Sequence, residues 1–254
     1  MKKTLIKAAY EAGKILKENF GGKFKISSKD VVSNLVTEID KKSEDKIISI
    51  IKEEFPYHNI ITEEAGSIFQ ESEYKWIIDP IDGTVNYAHS IPLTCVSIAL
   101  EKSDEIILGA VYNPLSDEFF FSEKGKGAYL NERKISVSVT DELRKSLLVT
   151  GFPYNSSTHN PDPVAVFKKF LMLDVPVRRL GSAALDLCWT ACGRFEGFWE
   201  YNLNAWDVAA GYLILEEAGG KVTNFKGDKY SVYGKQILAT NNLIHEEMLE
   251  IINK

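Results

Sequence analysis

The chain has 254 residues, 44% hydrophobic and 26% charged, and its 30 basic against 36 acidic side chains leave a formal charge of −6. That balance excludes a disordered chain, which pairs low hydrophobicity with high net charge. It also argues against a nucleic-acid binder built on a basic surface, and no run approaches the roughly 18 continuous apolar residues of a membrane-spanning helix.

Residues 3–20 place Leu5, Ile6, Ala9, Ala12, Ile15 and Leu16 on one helical face. Lys7, Glu11, Lys14 and Lys17 interrupt the stretch, so it reads as an amphipathic helix rather than a secretory leader, and a cytoplasmic chain is expected. Residues 21–36 open on two glycines and read as a mobile loop or hairpin. A second helix fits 40–54, with Ile47, Ile48 and Ile51 inward and Asp40 at the N-cap position. Short apolar runs at 59–62 and 76–79 predict strands, followed by longer ones at 94–101, 106–113 and 118–122 and a turn at 123–127.

Beyond Pro153 the pattern alternates. Helices fit 161–172, 182–193, 205–218 and 243–253, and strands fit 146–150, 195–200 and 236–240. Pro153, Asn155, Ser156, Ser157, Asn160 and Pro161 form the best boundary between two layered halves, about 1–150 and 151–254, of a single α/β catalytic domain spanning 1–254. Cys95, Cys188 and Cys192 contain no C-x-x-C pair and read as small packed hydrophobes. The four histidines are scattered and suggest no histidine-centred mechanism.

Three stretches put carboxylates at the end of a strand or the start of a helix: Thr62-Glu63-Glu64, Asp79-Pro80-Ile81-Asp82-Gly83-Thr84, and Trp206-Asp207. These are the places where open α/β folds gather ligand groups. Pro80 predicts an extended turn that lets Asp79 and Asp82 converge. Two carboxylates held close raise each other's pKa unless a cation lies between them. All-oxygen donors suit Mg²⁺ or Mn²⁺, and Gly83-Thr84 opening a short helix at 85–89 would cradle a phosphate beside it. Metal-assisted phosphate ester hydrolysis needs that combination. Each piece also has a plainer reading. Asp-Pro and Asp-Gly serve two successive β-turns, Glu63-Glu64 a solvated loop, and Asp207 a helix N-terminal acid.

The strings VTEIDKKSE (36–44), ITEEAG (61–66), WIIDPIDGTVNYAHSIP (76–92) and WDVAAGYLILEEAGG (206–220) resemble the inositol monophosphatase family, within the Mg²⁺-dependent, lithium-sensitive phosphatases that include fructose-1,6-bisphosphatases. GKGAYLNERKISVS (125–138) and LGSAALDLC (180–188) extend the likeness over nearly the whole chain. The resemblance implies a layered αβαβα sandwich and a homodimer. It also implies Glu63, Asp79 and the Ile81 carbonyl around one Mg²⁺, and Asp79, Asp82 and Asp207 around a second; a third, weaker ion would lie near Glu63. Gly83 and Thr84 would hold phosphate, Asp40 would orient Thr84, and Lys29 would serve from a mobile loop. Gly181, Ser182, Ala183 and Glu200 would contact hydroxyls of a sugar or cyclitol. The implied reaction is in-line attack of a metal-activated water on myo-inositol 1-phosphate. Arg178 and Arg179 would instead recognise the second phosphate of fructose 1,6-bisphosphate, as sole or dual substrate, or make surface salt bridges. The Asn204-Ala205 that precedes Trp206-Asp207 departs from many bacterial relatives, which place a basic residue and a proline there. That departure bears on substrate range rather than on metal chemistry.

Overall fold

The computed structural model describes residues 1–28, 35–154 and 162–254. Helix α1 (Lys2–Asn19) is followed by a paired β1 (Ile26–Ser28) and β2 (Leu35–Thr37), then by α2 (Glu38–Glu54). β3 (Asn59–Thr62), β4 (Gly66–Ile68) and β5 (Tyr74–Asp82) lead into the short α3 (Thr84–Ala88). β6 (Cys95–Lys102), β7 (Glu105–Asn113), β8 (Glu118–Glu123), β9 (Ala128–Leu130) and β10 (Arg133–Ile135) complete a sheet of order β10-β9-β8-β7-β6-β5-β3-β4. β11 (Leu148–Thr150), α4 (Pro163–Leu171), β12 (Val177–Arg178), α5 (Ala183–Ala191), β13 (Gly197–Tyr201), α6 (Ala205–Glu217), β14 (Lys221–Thr223), β15 (Gln236–Thr240) and α7 (His245–Asn253) follow. The second sheet has the order β12-β11-β13-β15-β14.

Three hydrophobic clusters define the layers. Leu5, Ala9, Ile47 and Ile51 of α1 and α2 pack on Trp76, Ile78, Val96 and Ile98 of the first sheet. Leu187, Cys188, Ala209 and Leu213 of α5 and α6 fill the space between Ile77, Ala99 and Val111 of that sheet and Phe198, Ile237 and Ala239 of the second. Val166, Phe170, Met248 and Ile252 of α4 and α7 cover the far side, against Leu148, Trp199 and Leu238. The order is helix, sheet, helix, sheet, helix, the αβαβα sandwich that the resemblance implies. Two of the cysteines, Cys95 and Cys188, are buried in the middle layer as expected of packed hydrophobes.

Local expectations differ from the structure in three places. The helix expected from 40 starts at Glu38, with Thr37 as its N-cap. Asp40 is therefore not the cap but the third helical residue, closing a capping box: its Oδ2 accepts from the Thr37 N–H at 2.8 Å and the Thr37 hydroxyl at 2.6 Å. The Asp-Pro-Ile-Asp segment makes neither a turn nor two β-turns, since β5 runs through it as a strand to Asp82. The short strands β4, β9, β10, β12 and β14 were not predicted, because segments of two or three residues carry too little alternation to register. Most of the candidate boundary, residues 155–161, lies outside the described residues.

Candidate active site

β5 brings Asp79 and Asp82 to one face by an irregularity in its pairing. Asp79 lies opposite Ser97 and Asp82 opposite Cys95, so three steps along β5 match two along β6. Side chains alternate along a regular strand, and a bulge of one residue resets the alternation. Ile77 belongs to the middle layer, Trp76, Ile78 and Ile81 to the outer one, and Asp82 returns to the face of Asp79. Pro80 has no N–H to leave unpaired there, and its carbonyl accepts from Ser43 Oγ at 3.0 Å, tying the segment to α2. The chain then turns at Gly83, whose φ of 83° and whose approach to the Leu93 carbonyl (2.7 Å from where a Cβ would stand) leave no room for a side chain.

Asp79, Asp82, Glu63 and Asp207 line one cavity of about 500 Å³ together with Gly83, Thr84, Gly181, Ser182, Ala183 and Glu200. Three of these acids have one oxygen tied to backbone. Asp79 Oδ1 accepts from the Ile81 N–H at 3.0 Å. Asp82 Oδ2 accepts from the Ser182 hydroxyl at 2.6 Å and the Ala184 N–H at 2.8 Å, at the start of α5. Asp207 Oδ2 accepts from the Asn204 N–H at 2.7 Å, at the start of α6. Helix N-termini favour nearby negative charge, which stabilises both arrangements.

Electrostatically the cluster is frustrated. Burial first, then Glu63, Asp82, Asp207 and Asp40, push Asp79 well above the usual carboxylate range. Burial likewise lifts Asp82, to about 6, against the hydrogen bond from Ser182 that opposes it. Asp207 rises well above its ordinary value through burial and then the charge of Glu63. Among the described residues no three His, Cys, Asp or Glu side chains are drawn together into a finished metal cage. The donor set nevertheless fits a hard divalent cation: it is all oxygen, it is anionic, and each tethered aspartate keeps a second oxygen.

Asp40 is fully buried behind the cavity wall, and its Oδ1 lies 3.2 Å from Thr84 Oγ1. The same hydroxyl lies 2.9 Å from the Ile81 carbonyl. Burial, resisted by the Thr37 hydrogen bonds, pushes Asp40 up to about 6.

Of the two arginines, Arg179 lines the cavity and Arg178 does not. Arg178 sits on the edge strand β12 with Nη1 near the Val177 carbonyl. β12 ends at Arg178, and Arg179 lies just beyond it. Lys29 lies outside the described residues. Sequence reading missed Glu44. It is buried in α2, accepts from the Thr62 hydroxyl and the N–H groups of Glu64 (3.0 Å) and Ala65 (3.2 Å), and so holds the loop that carries Glu63. Its one signal was an acid on the apolar face of a helix. Asn86 was missed too; its Nδ2 donates to the carbonyls of Leu93 and Leu180, both at 2.8 Å.

A family model described as the inositol monophosphatase family matches residues 1–254. The chain belongs to the inositol monophosphatase family. Members of this phosphatase family align with it almost end to end. The Synechocystis inositol-1-monophosphatase is 43% identical over 96% of this chain and 86% of its own. The Haemophilus influenzae Nus factor SuhB is 40% identical over 97% and 93%. The Aquifex aeolicus fructose-1,6-bisphosphatase/inositol-1-monophosphatase is 38% identical over 97% and 93%. Among solved structures, inositol monophosphatase from Anabaena superposes with a TM-score of 0.89 at 42% identity, covering 99% of this chain and 94% of its own. The inositol monophosphate bound form of SaIMPase-II superposes at 0.80 and 28% identity, covering 98% and 92%. Among the described residues no helix is long and apolar enough to cross a membrane.

Proposed function

We propose that this chain is a Mg²⁺-dependent phosphomonoesterase that hydrolyses myo-inositol 1-phosphate, working as one catalytic domain within a cytoplasmic homodimer. The observation that carries the reading is one cavity lined together by four carboxylates, the Gly83-Thr84 turn and Glu200. A relative of the same fold is seen with inositol monophosphate bound. Glu63, Asp79 and the Ile81 carbonyl would hold one ion, and Asp79, Asp82 and Asp207 a second. When bound, Mg²⁺ (or Mn²⁺) supplies Lewis-acid stabilisation of the phosphoryl and leaving oxygens and acidifies the attacking water.

The protein's own groups do the rest. The Thr84 hydroxyl gives its single hydrogen to Asp40 or to the Ile81 carbonyl, so its lone pairs are free to take a hydrogen bond from the water that attacks phosphorus. Glu63 is a second acceptor for that proton. The N–H groups of the Gly83–Thr84 turn would bind the phosphoryl oxygens, and Ser182, Ala183 and Glu200, which line the same cavity, would meet the departing alcohol. Phosphate release from myo-inositol 1-phosphate with and without Mg²⁺ tests the reading: turnover that depends on the ion supports it, and none on any cyclitol or sugar phosphate ends it. Light scattering at micromolar concentration checks the dimer.

Arg179 supports a second reading. Arg179 lines the cavity, with Nη1 beside Gly181, and makes no hydrogen bond or ion pair among the described residues. A cation so placed fits a second phosphate on the substrate, as in fructose 1,6-bisphosphate. Comparing kcat/KM on the two substrates decides between a mono- and a dual-specificity enzyme.

A further inference from the structure

The side-chain amide of Asn86 joins two loops that meet at the cavity. Asn86 stands in α3, just after the Gly83-Thr84 turn; it is 7% exposed and lines the cavity. Its Nδ2 donates to the carbonyls of Leu93 and Leu180, both at 2.8 Å, and lies 3.5 Å from the Gly181 carbonyl. A carbonyl oxygen can only accept, so both hydrogens of the amide are committed, one to each loop. Leu180 is 94 positions along the chain from Asn86. It belongs to the link between β12 and α5, which also carries the cavity residues Arg179, Gly181 and Ser182.

The same two loops enclose Gly83. The carbonyls of Leu93 and Gly181 lie 2.7 Å and 3.3 Å from where a Gly83 Cβ would stand, and Ser182 Cβ lies 3.4 Å from that point. The turn that would hold phosphate is thus packed directly against the segment that would meet ring hydroxyls. From Ser182 onwards that segment has anchors of its own, since the Ser182 hydroxyl and the Ala184 N–H both donate to Asp82 Oδ2. Before Ser182 the Asn86 amide fastens it. A carbonyl that loses its donor in so enclosed a place must be solvated again, which draws its loop away from Asn86.

We propose that Asn86 is a positioning residue that fixes the spacing between the Gly83-Thr84 turn and the segment 180–183, so that a phosphorylated polyol meets both at once. This rests on the reading of the cavity as a polyol phosphate site. Asn86 acts through the two loops that it ties, and makes no bond to the reacting atoms.

The test compares the Mg²⁺-loaded parent with Asn86→Leu, which is neutral and of similar size but has no donor. KM for myo-inositol 1-phosphate should rise about tenfold, with kcat within about threefold, because binding of the ring is lost while the groups around the attacking water stay in place. On p-nitrophenyl phosphate, which has no ring hydroxyls to place, the fall in kcat/KM should be several times smaller. Calorimetric affinity for Mg²⁺ should stay within about twofold of the parent, since Asp82 keeps its bonds to Ser182 and Ala184. The proposal is overturned by an unchanged KM for myo-inositol 1-phosphate, or by equal losses on both substrates, as a general loosening of the fold would give. If Asn86→Leu does not fold, Asn86→Ala removes the same donors without apolar bulk and is judged by the same pattern. Absence of turnover by the parent on every phosphate ester would instead strike the reading of the site. Calorimetric Kd values for myo-inositol 1-phosphate and for inorganic phosphate then judge Asn86 without turnover: selective loss of the first supports the role, equal change in both ends it, and a parent that binds neither ends both readings.

Discussion

The carboxylates that line the cavity are held in two different ways. Asp79, Asp82 and Asp207 crowd together, each with an oxygen anchored to a backbone N–H, and a cation among them would relieve their mutual repulsion. Glu200 lines the same cavity without such an anchor among the described residues, and burial, then the charge of Asp207, raises it to about 8. Carboxylates of one chemistry are thus sorted by what the backbone offers them.

The sharpest way to break this contrast is Asp207→Asn. It should lower kcat by at least about 10³-fold, as expected when charge stabilisation at a phosphoryl group is lost. In EDTA its Tm should not fall, since a repelling buried charge is gone. Retained turnover would remove Asp207 from the acidic wall. Thr84→Val keeps the shape and deletes the hydroxyl that lies beside Asp40. A fall in kcat of about 10²-fold is expected, with Mg²⁺ affinity by calorimetry nearly unchanged.

Glu44→Gln tests how the wall is held. It weakens the three hydrogen bonds that fix the Glu63 loop, so Mg²⁺ affinity should drop about tenfold, in the range seen when the supports of metal ligands are altered. Equal affinities would make Glu44 a purely structural acid. Arg179→Ala should lower kcat/KM on fructose 1,6-bisphosphate about tenfold more than on myo-inositol 1-phosphate, as for loss of one charge-assisted contact. Arg178→Ala should leave the ratio unchanged. Equal effects of the two would mean that lining the cavity does not set Arg179 apart from Arg178.

The smallest effects are on stability. Burial raises Asp40 and Asp82 from 3.8 to about 6 in the folded chain. Protonation of these acids therefore favours the fold at low pH, and that contribution is lost in metal-free protein as pH rises from about 4 through 6. His245 acts with the opposite sign. Buried between Thr223 and Thr240, it is lowered from 6.5 to about 4 by desolvation, so its contribution is complete above 6.5 and is lost as pH falls towards 4. Saturating Mg²⁺ should cancel the first trend and leave the second, so that Tm rises with pH across this window only in the loaded protein. Identical profiles with and without the ion would mean that the acidic wall does not feel it.

Much of this was legible in the linear text. The 3.6-residue periodicity placed α1, α6 and α7 to within a few residues, and the apolar runs placed β5, β6 and β7, because burying one stripe or one face leaves a mark on composition. The long strings around Asp79 and Asp207 pointed to the family and to the acids it uses. The text could not show that Asp-Pro-Ile-Asp remains strand, since proline and two acids speak for a turn until a neighbouring strand supplies the bulge. Nor could it show that Thr37 rather than Asp40 caps α2, because both residue types serve as N-caps and aspartate is the more favoured of the two.

The amino-acid order by itself determined which segments bury a face and which acids stand at strand and helix ends, because those are local properties of period and punctuation. The tertiary structure alone decided which acids share a cavity, which arginine reaches it, and that Asp186 of α5 is buried. Those outcomes depend on contacts between residues far apart in the chain, such as the 100 positions separating Asp82 from Ser182, and on the low dielectric that only the packed layers create.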